Sequence, residues 1–212
     1  MAQTLASPAD NPARPVNAPW RVAILGAECT GKTTLTQHLA RHFGGRVVPE
    51  YLRQWCDQHQ RTPHLPEQGA IVAAQLTQED AVWQQASSDG ITHVFCDTNV
   101  LLTAVYSAHY FSDTSLLPAA RQLQARYDLT LLLAPDLPWL ADGLQRDGLV
   151  AQAGVHARLV AELTGQRNVV LVGGDGLARL RQATRAVIHH IRLPSASSGL
   201  AVPPAATMRT WV

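Results

Sequence analysis

From residue 20 onward, short unbroken apolar runs alternate with longer stretches in which apolar residues recur every three or four places. Arg21-Val22-Ala23-Ile24-Leu25-Gly26 has the form of a buried strand, and Lys32 to Phe43 that of a helix ended by Gly44-Gly45. Arg46-Val47-Val48 opens a short second strand. A long helical stretch covers about 66–87, where Ile71, Gln75, Thr77 and Val82 give only rough amphipathicity. Thr92-His93-Val94-Phe95-Cys96 reads as a strand, 98–109 as a helix, and Leu129-Thr130-Leu131-Leu132-Leu133 as a strand. Asn168-Val169-Val170-Leu171-Val172 is the last strand and 176–191 the closing helix. Strands that are apolar throughout and alternate with helices predict an α/β fold with a parallel sheet covered on both faces. Ligands on such sheets gather at the carboxyl ends of the strands.

A chain of 212 residues suffices for one α/β domain with a sizeable core. The net charge of +1 argues against a broad basic face, so no nucleic-acid partner is expected. Cys29, Cys56 and Cys96 cannot complete a disulfide framework and lack metal-ligand spacing, which points to a reducing, cytoplasmic setting. No apolar run approaches the length of a membrane-spanning helix, and no membrane partner is expected. Residues 1–19 carry Pro8, Pro12, Pro15 and Pro19 among Ala, Asn and Ser, and residues 193–212 are again rich in Pro, Ser and Ala. Both are expected to be flexible tails flanking a single domain over 20–192.

The most informative segment joins the first strand to the first helix. Gly26-Ala27-Glu28-Cys29-Thr30-Gly31-Lys32-Thr33 meets the pattern G-x-x-x-x-G-K-[ST], the P-loop. Backbone N–H groups of such a loop, with those of the helix that follows, hold phosphate without side-chain charge. Glycine is needed where the backbone turns tightly against the anion. The nucleotide-binding set is therefore Gly26, Glu28, Cys29, Thr30, Gly31, Lys32, Thr33 and Thr34, with no chemical role for the Cys29 thiol. Lys32 is expected to reach the β- and γ-phosphates of ATP, and Thr33 to place its hydroxyl on Mg²⁺.

Two carboxylates follow strand ends. Asp97 can hold Mg²⁺ directly or through water, or cap the helix after it, and the two roles can coexist. Glu50, in Val48-Pro49-Glu50-Tyr51-Leu52-Arg53, can take a proton from a hydroxyl attacking the γ-phosphate. It can equally be an exposed first-turn glutamate favoured by the helix dipole. After the fourth strand, Trp139-Leu140-Ala141-Asp142-Gly143-Leu144-Gln145-Arg146-Asp147-Gly148 suggests a lid, in which Arg146 either meets the transferring phosphoryl group or is a surface residue.

These segments, taken in order, resemble a known family. Gly26 to Thr34, then Pro49-Glu50-Tyr51-Leu52-Arg53, then Asp97-Thr98-Asn99 with Thr103, then Trp139-x-x-Asp142-Gly143-Leu144 are similar to the ribosylnicotinamide kinase domain of NadR-type proteins. The resemblance spans roughly 21–190. It implies a three-layer P-loop fold with five parallel strands, and transfer of the ATP γ-phosphate to the 5′-hydroxyl of nicotinamide riboside. It implies catalytic roles for Lys32, Glu50, Asp97 and Arg146, and Mg²⁺ held by Thr33 and Asp97. Substrate contacts are expected from Glu50, Tyr51, Arg53, Asp97, Asn99, Tyr106 and Trp139. Spacing leaves open an exchange of roles between Glu50 and Asp97. Gln145 stands where the family carries its lid arginine, so Arg146 is one place along. The H-x-G-H motif of the adenylyltransferase part is missing, and neither that activity nor a repressor function is expected. A kinase for another nucleoside, or a regulatory ATPase, uses the same phosphate loop. A GTPase would carry N-K-x-D, which this sequence lacks.

Overall fold

The apolar runs form one all-parallel sheet in the computed structural model, which describes residues 18–139 and 148–192. Its strands are β1 (Trp20–Leu25), β2 (Arg46–Val48), β3 (His93–Asp97), β4 (Leu129–Leu133) and β5 (Val169–Val172), in the spatial order β2-β3-β1-β4-β5. Helices connect them: α1 (Lys32–Phe43), α2 (Tyr51–His59), α3 (Gln68–Ser88), α4 (Val100–Tyr110), α5 (Leu117–Leu123), α6 (Gly148–Leu163) and α7 (Gly176–Arg192).

Alternation along each strand sorts the core into two layers. Val22 and Ile24 of β1, Phe95 of β3 and Leu129, Leu131 and Leu133 of β4 pack against Leu35 and Leu39 of α1 and Ala183 and Val187 of α7. Leu25 and Leu132 face the other way, toward α2, α4, α5 and α6. Ala23, Val94 and Cys96 lie on that same side under Ala86 of α3 and Tyr127. The sheet is thus covered on both faces, as its uninterrupted apolar strands require.

The helix expected over 98–109 begins two residues later. Thr98 has φ +74°, and Asn99 is extended, with its Oδ1 accepting the Leu101 N–H at 2.9 Å. Asn99 is therefore the N-cap of α4, and the capping role considered for Asp97 is excluded, since Asp97 still belongs to β3. Ala18 and Pro19, grouped by composition with the N-terminal tail, are buried; the Pro19 carbonyl accepts the Trp83 indole N–H at 3.1 Å. Among the described residues, no helix is long and apolar enough to cross a membrane.

Candidate active site

The parallel register brings the chemically interesting residues to one edge of the sheet. Ile24 pairs with Asp97 and Val48 with Cys96, so the loop after β1, the segment after β2 and the last residue of β3 share the carboxyl ends of adjacent strands.

The loop between β1 and α1 is closed on itself. Thr30 Oγ1 donates to the Ala27 carbonyl at 2.8 Å, and Lys32 Nζ donates to the same carbonyl at 3.0 Å. A Cβ on Gly26 would stand 2.6 Å from Thr30 Oγ1 and 3.1 Å from Leu133 Cβ, which leaves glycine as the residue that fits. Gly31 sits at φ +79° and has no side chain with which to cap α1. The first-turn N–H groups of α1, on Lys32, Thr33 and Thr34, are therefore presented to an anion. Cys29 also adopts a left-handed conformation, at φ 56°. Glu28 anchors the loop to two helices: its carbonyl accepts from Gln152 Nε2 at 2.7 Å and its carboxylate from the Tyr110 hydroxyl at 3.3 Å.

Glu50 is buried, with 9% of its surface exposed, and makes no capping bond although it occupies the N-cap position of α2. This excludes the exposed first-turn glutamate considered from sequence. Burial pushes its carboxyl above the usual carboxylate range; Lys32 and Arg53 pull it back, while Asp97 and Glu28 push it further up. Arg53 is exposed, with its Nε 3.9 Å from Glu50 Oε2. Tyr106 is buried in the core beside this group, and burial together with Glu50 and Glu28 holds its hydroxyl well above the ordinary range. Tyr51 is half-buried against the same cluster.

Asp97 is 4% exposed, and its Oδ1 is buried with no hydrogen-bond partner among the described residues. Such an orphaned carboxylate oxygen, at the carboxyl end of the strand beside β1, suits a hydrated Mg²⁺, which binds through one or two carboxylates plus phosphate oxygens. Among the described residues no group of three or more His, Cys, Asp or Glu is placed to hold a metal ion by itself.

Asn99, expected to touch substrate, is fully buried and satisfied within the protein. Its Oδ1 caps α4 and its Nδ2 donates to Gln124 Oε1 at 3.0 Å, which gives it a structural role. Trp139 is half-buried, and its indole N–H has no partner among the described residues. Arg146, with Asp142, Gly143 and Leu144, lies outside the described residues.

Sequence reasoning missed Arg179. It is 4% exposed on α7, and its guanidinium spans three loops at the strand ends. It donates to the carbonyls of Gly174 at 2.7 Å and Ala134 at 3.1 Å, to the carbonyl of Thr30 inside the phosphate loop, and to the carboxylate of Asp136. Asp136 in turn accepts the Gly174 N–H at 2.6 Å. Within Leu177-Ala178-Arg179-Leu180-Arg181 nothing distinguishes Arg179 from a surface arginine of an amphipathic helix.

A five-stranded parallel sheet of this order, with a glycine-bounded loop running from β1 into α1, defines a three-layer P-loop NTPase fold. Residues 21–179 match the family described as the AAA domain. The chain belongs to that family. It is also similar to the trifunctional NAD biosynthesis/regulator protein NadR of Salmonella typhimurium strain LT2, 27% identical over 155 residues, covering 71% of this chain and 37% of that protein. The chain thus spans little more than a third of the curated relative's length. Among solved structures, NadR protein in complex with NR superposes with a TM-score of 0.68 at 26% identity, covering 84% of this chain and 53% of that one. Deoxyadenosine kinase from M. mycoides with bound dATP shares the fold at 12% identity, with a TM-score of 0.53 over 80% of this chain and 99% of that one.

Proposed function

We propose that this chain is an ATP-dependent kinase that phosphorylates the 5′-hydroxyl of nicotinamide riboside to nicotinamide mononucleotide. The observation that carries the reading is the grouping of a buried, proton-seeking Glu50 with Lys32 and Asp97 at the mouth of the phosphate loop. The likeness to NadR, one of whose structures holds NR, supports the choice of acceptor.

Phosphoryl transfer asks the protein mainly for positioning and charge neutralisation. The loop amides and Lys32 hold the β- and γ-phosphates, with Lys32 exchanging the Ala27 carbonyl for phosphate oxygens. Thr33 and Asp97 would hold Mg²⁺, which supplies charge neutralisation on those oxygens when bound. Glu50 accepts the proton of the attacking 5′-hydroxyl; burial raises its basicity, and Lys32 and Arg53 oppose part of that rise. Arg53, Tyr51, Tyr106 and Trp139 surround the acceptor, and Arg146 contributes from the segment after Trp139.

ADP release measured across a panel of nucleosides tests the reading. Nicotinamide riboside should be the preferred acceptor. An enzyme that phosphorylates other nucleosides efficiently and ignores nicotinamide riboside refutes it, as does ATP hydrolysis indifferent to every acceptor.

A further inference from the structure

The backbone that carries Glu50 is gripped from α3 on both sides. Gln78 Nε2 donates to the carbonyl of Pro49 at 2.7 Å, and Gln75 Oε1 accepts the N–H of Tyr51 at 2.8 Å. The Pro49 carbonyl belongs to the peptide unit before Glu50, and the Tyr51 N–H to the one after it. Both peptide planes flanking the Glu50 Cα are therefore tied, which fixes its φ of −69° and ψ of 113° and so the direction of its side chain. The two glutamines stand three residues apart, on one face of α3.

The grip on Tyr51 is itself held. Gln75 Nε2 donates to Glu79 Oε1 at 3.2 Å, and Glu79 Oε2 accepts the Tyr127 hydroxyl at 2.7 Å. With its nitrogen committed to a carboxylate, the Gln75 amide can present only its oxygen to Tyr51. Glu79 is fully buried, so water does not compete for this chain of bonds. The Tyr51 N–H is one of the four donors that every helix start leaves unmet. An N-cap side chain ordinarily meets one of these. Here Gln75 does so from another helix, and the Glu50 carboxylate is not spent on capping α2.

We infer that Gln75 and Gln78 are positioning residues which, by clamping both peptide units around Glu50, hold its carboxylate at the mouth of the phosphate loop. This rests on the reading of Glu50 as the base. Neither glutamine is among the residues assigned above to nucleotide or acceptor, so the clamp acts through the segment it holds, Glu50 foremost.

The test is a double-mutant cycle on the full chain, with ATP and nicotinamide riboside saturating. Gln75→Met should lower kcat by about tenfold to a hundredfold, the scale of a misplaced catalytic group, with the KM for ATP unchanged. Gln78→Ala, which leaves only an exposed carbonyl for water to satisfy, should lower kcat a few-fold and keeps the test open if Gln75→Met does not fold. In a Glu50→Gln background neither substitution should slow kcat further, because the group being positioned is already gone. A clamp variant that folds and keeps wild-type kcat overturns the inference. So do losses that multiply with that of Glu50→Gln, the pattern of a merely structural role. Wild-type kcat in Glu50→Gln alone refutes the base reading instead, and separates that failure from this one.

Discussion

Replacing Arg179 with methionine removes the guanidinium while keeping most of the apolar stem, and the structure allows its cost to be built up acceptor by acceptor. The Thr30 carbonyl lies in a buried stretch of the phosphate loop, and losing its donor leaves it unmet at about 1–3 kcal/mol. The Ala134 carbonyl is half-buried and adds about 1 kcal/mol. Gly174 is exposed, so water takes over there. The Asp136 carboxylate is 41% exposed, which limits that ion pair to about 1 kcal/mol or less. Burial holds the Arg179 pKa below its ordinary value, and relief of that desolvation returns part of the loss. The net expectation is a destabilisation of about 2–3 kcal/mol, read from urea denaturation. Because the unmet carbonyl belongs to Thr30, ATP affinity should fall as well, by about tenfold, measured by titration calorimetry. Arg179→Lys should recover little of either, since one ammonium cannot reach acceptors fanned around a planar guanidinium. Stability within about 0.5 kcal/mol of wild type, together with unchanged ATP affinity, would refute the clasp.

Lys32→Ala should abolish phosphoryl transfer with an unchanged circular dichroism spectrum, since Lys32 bonds the loop carbonyl of Ala27 and no core group; full activity in the purified variant would remove the phosphate-loop argument. Glu50→Gln should lower kcat about a hundredfold to ten-thousandfold with ATP affinity unchanged, whereas Asp97→Asn should raise the Mg²⁺ concentration needed for half-maximal activity. If Glu50 is the base it acts deprotonated, and its carboxyl is raised, so wild-type kcat should be full above that raised pKa and be lost as pH falls through it; the acid limb should lie above the ordinary glutamate range and vanish in Glu50→Gln. Removal of residues 1–17 and 193–212 should leave activity within a few-fold, while a cut after residue 19 takes away the Trp83 acceptor and buried Ala18 and costs about 1 kcal/mol or more in denaturant unfolding.

The strands were legible because a parallel strand buried on both faces is a plain apolar run, and the phosphate loop because its glycines are set by local backbone geometry. Other elements escaped for identifiable reasons. Nine-residue α2 has a strongly polar sequence, with only Leu52, Trp55 and Cys56 buried. In α6 the inward residues Gln152, Val155, Leu159 and Leu163 do follow helical spacing, a signal that was present but overshadowed by the lid segment before it. The start of α4 was misplaced because Thr98 takes a left-handed conformation that its β-branched side chain disfavours. Asn99 looked like part of a substrate motif; its role as a cap depends on Gln124, 25 residues away, and on backbone geometry that spacing does not encode.

The weak amphipathicity of α3 has a physical reason that bears on the site. Its buried positions are Gln68, Ile71, Gln75, Glu79 and Ala86, so three of the five are polar or ionisable. An apolar set would pack more cheaply, since burying a carboxyl raises its pKa and burying an amide demands partners. On Gln75 and Glu79 every side-chain polar atom has a partner, whereas Gln68 Oε1 has none among the described residues. The Tyr127 hydroxyl donates to Glu79, Gln75 donates to Glu79, and the Gln75 oxygen accepts from Tyr51. The chain ends on the segment after β2, beside a glutamate whose own carboxylate caps nothing. A helix that served the core alone would gain nothing from this arrangement. One that must also hold Pro49, Glu50 and Tyr51 at the edge of a phosphate loop needs donors and acceptors at fixed height along its inner face, and an inner face so composed loses its hydrophobic period. The irregular pattern of α3 and a Glu50 carboxylate not spent on capping are thus two consequences of one set of hydrogen bonds.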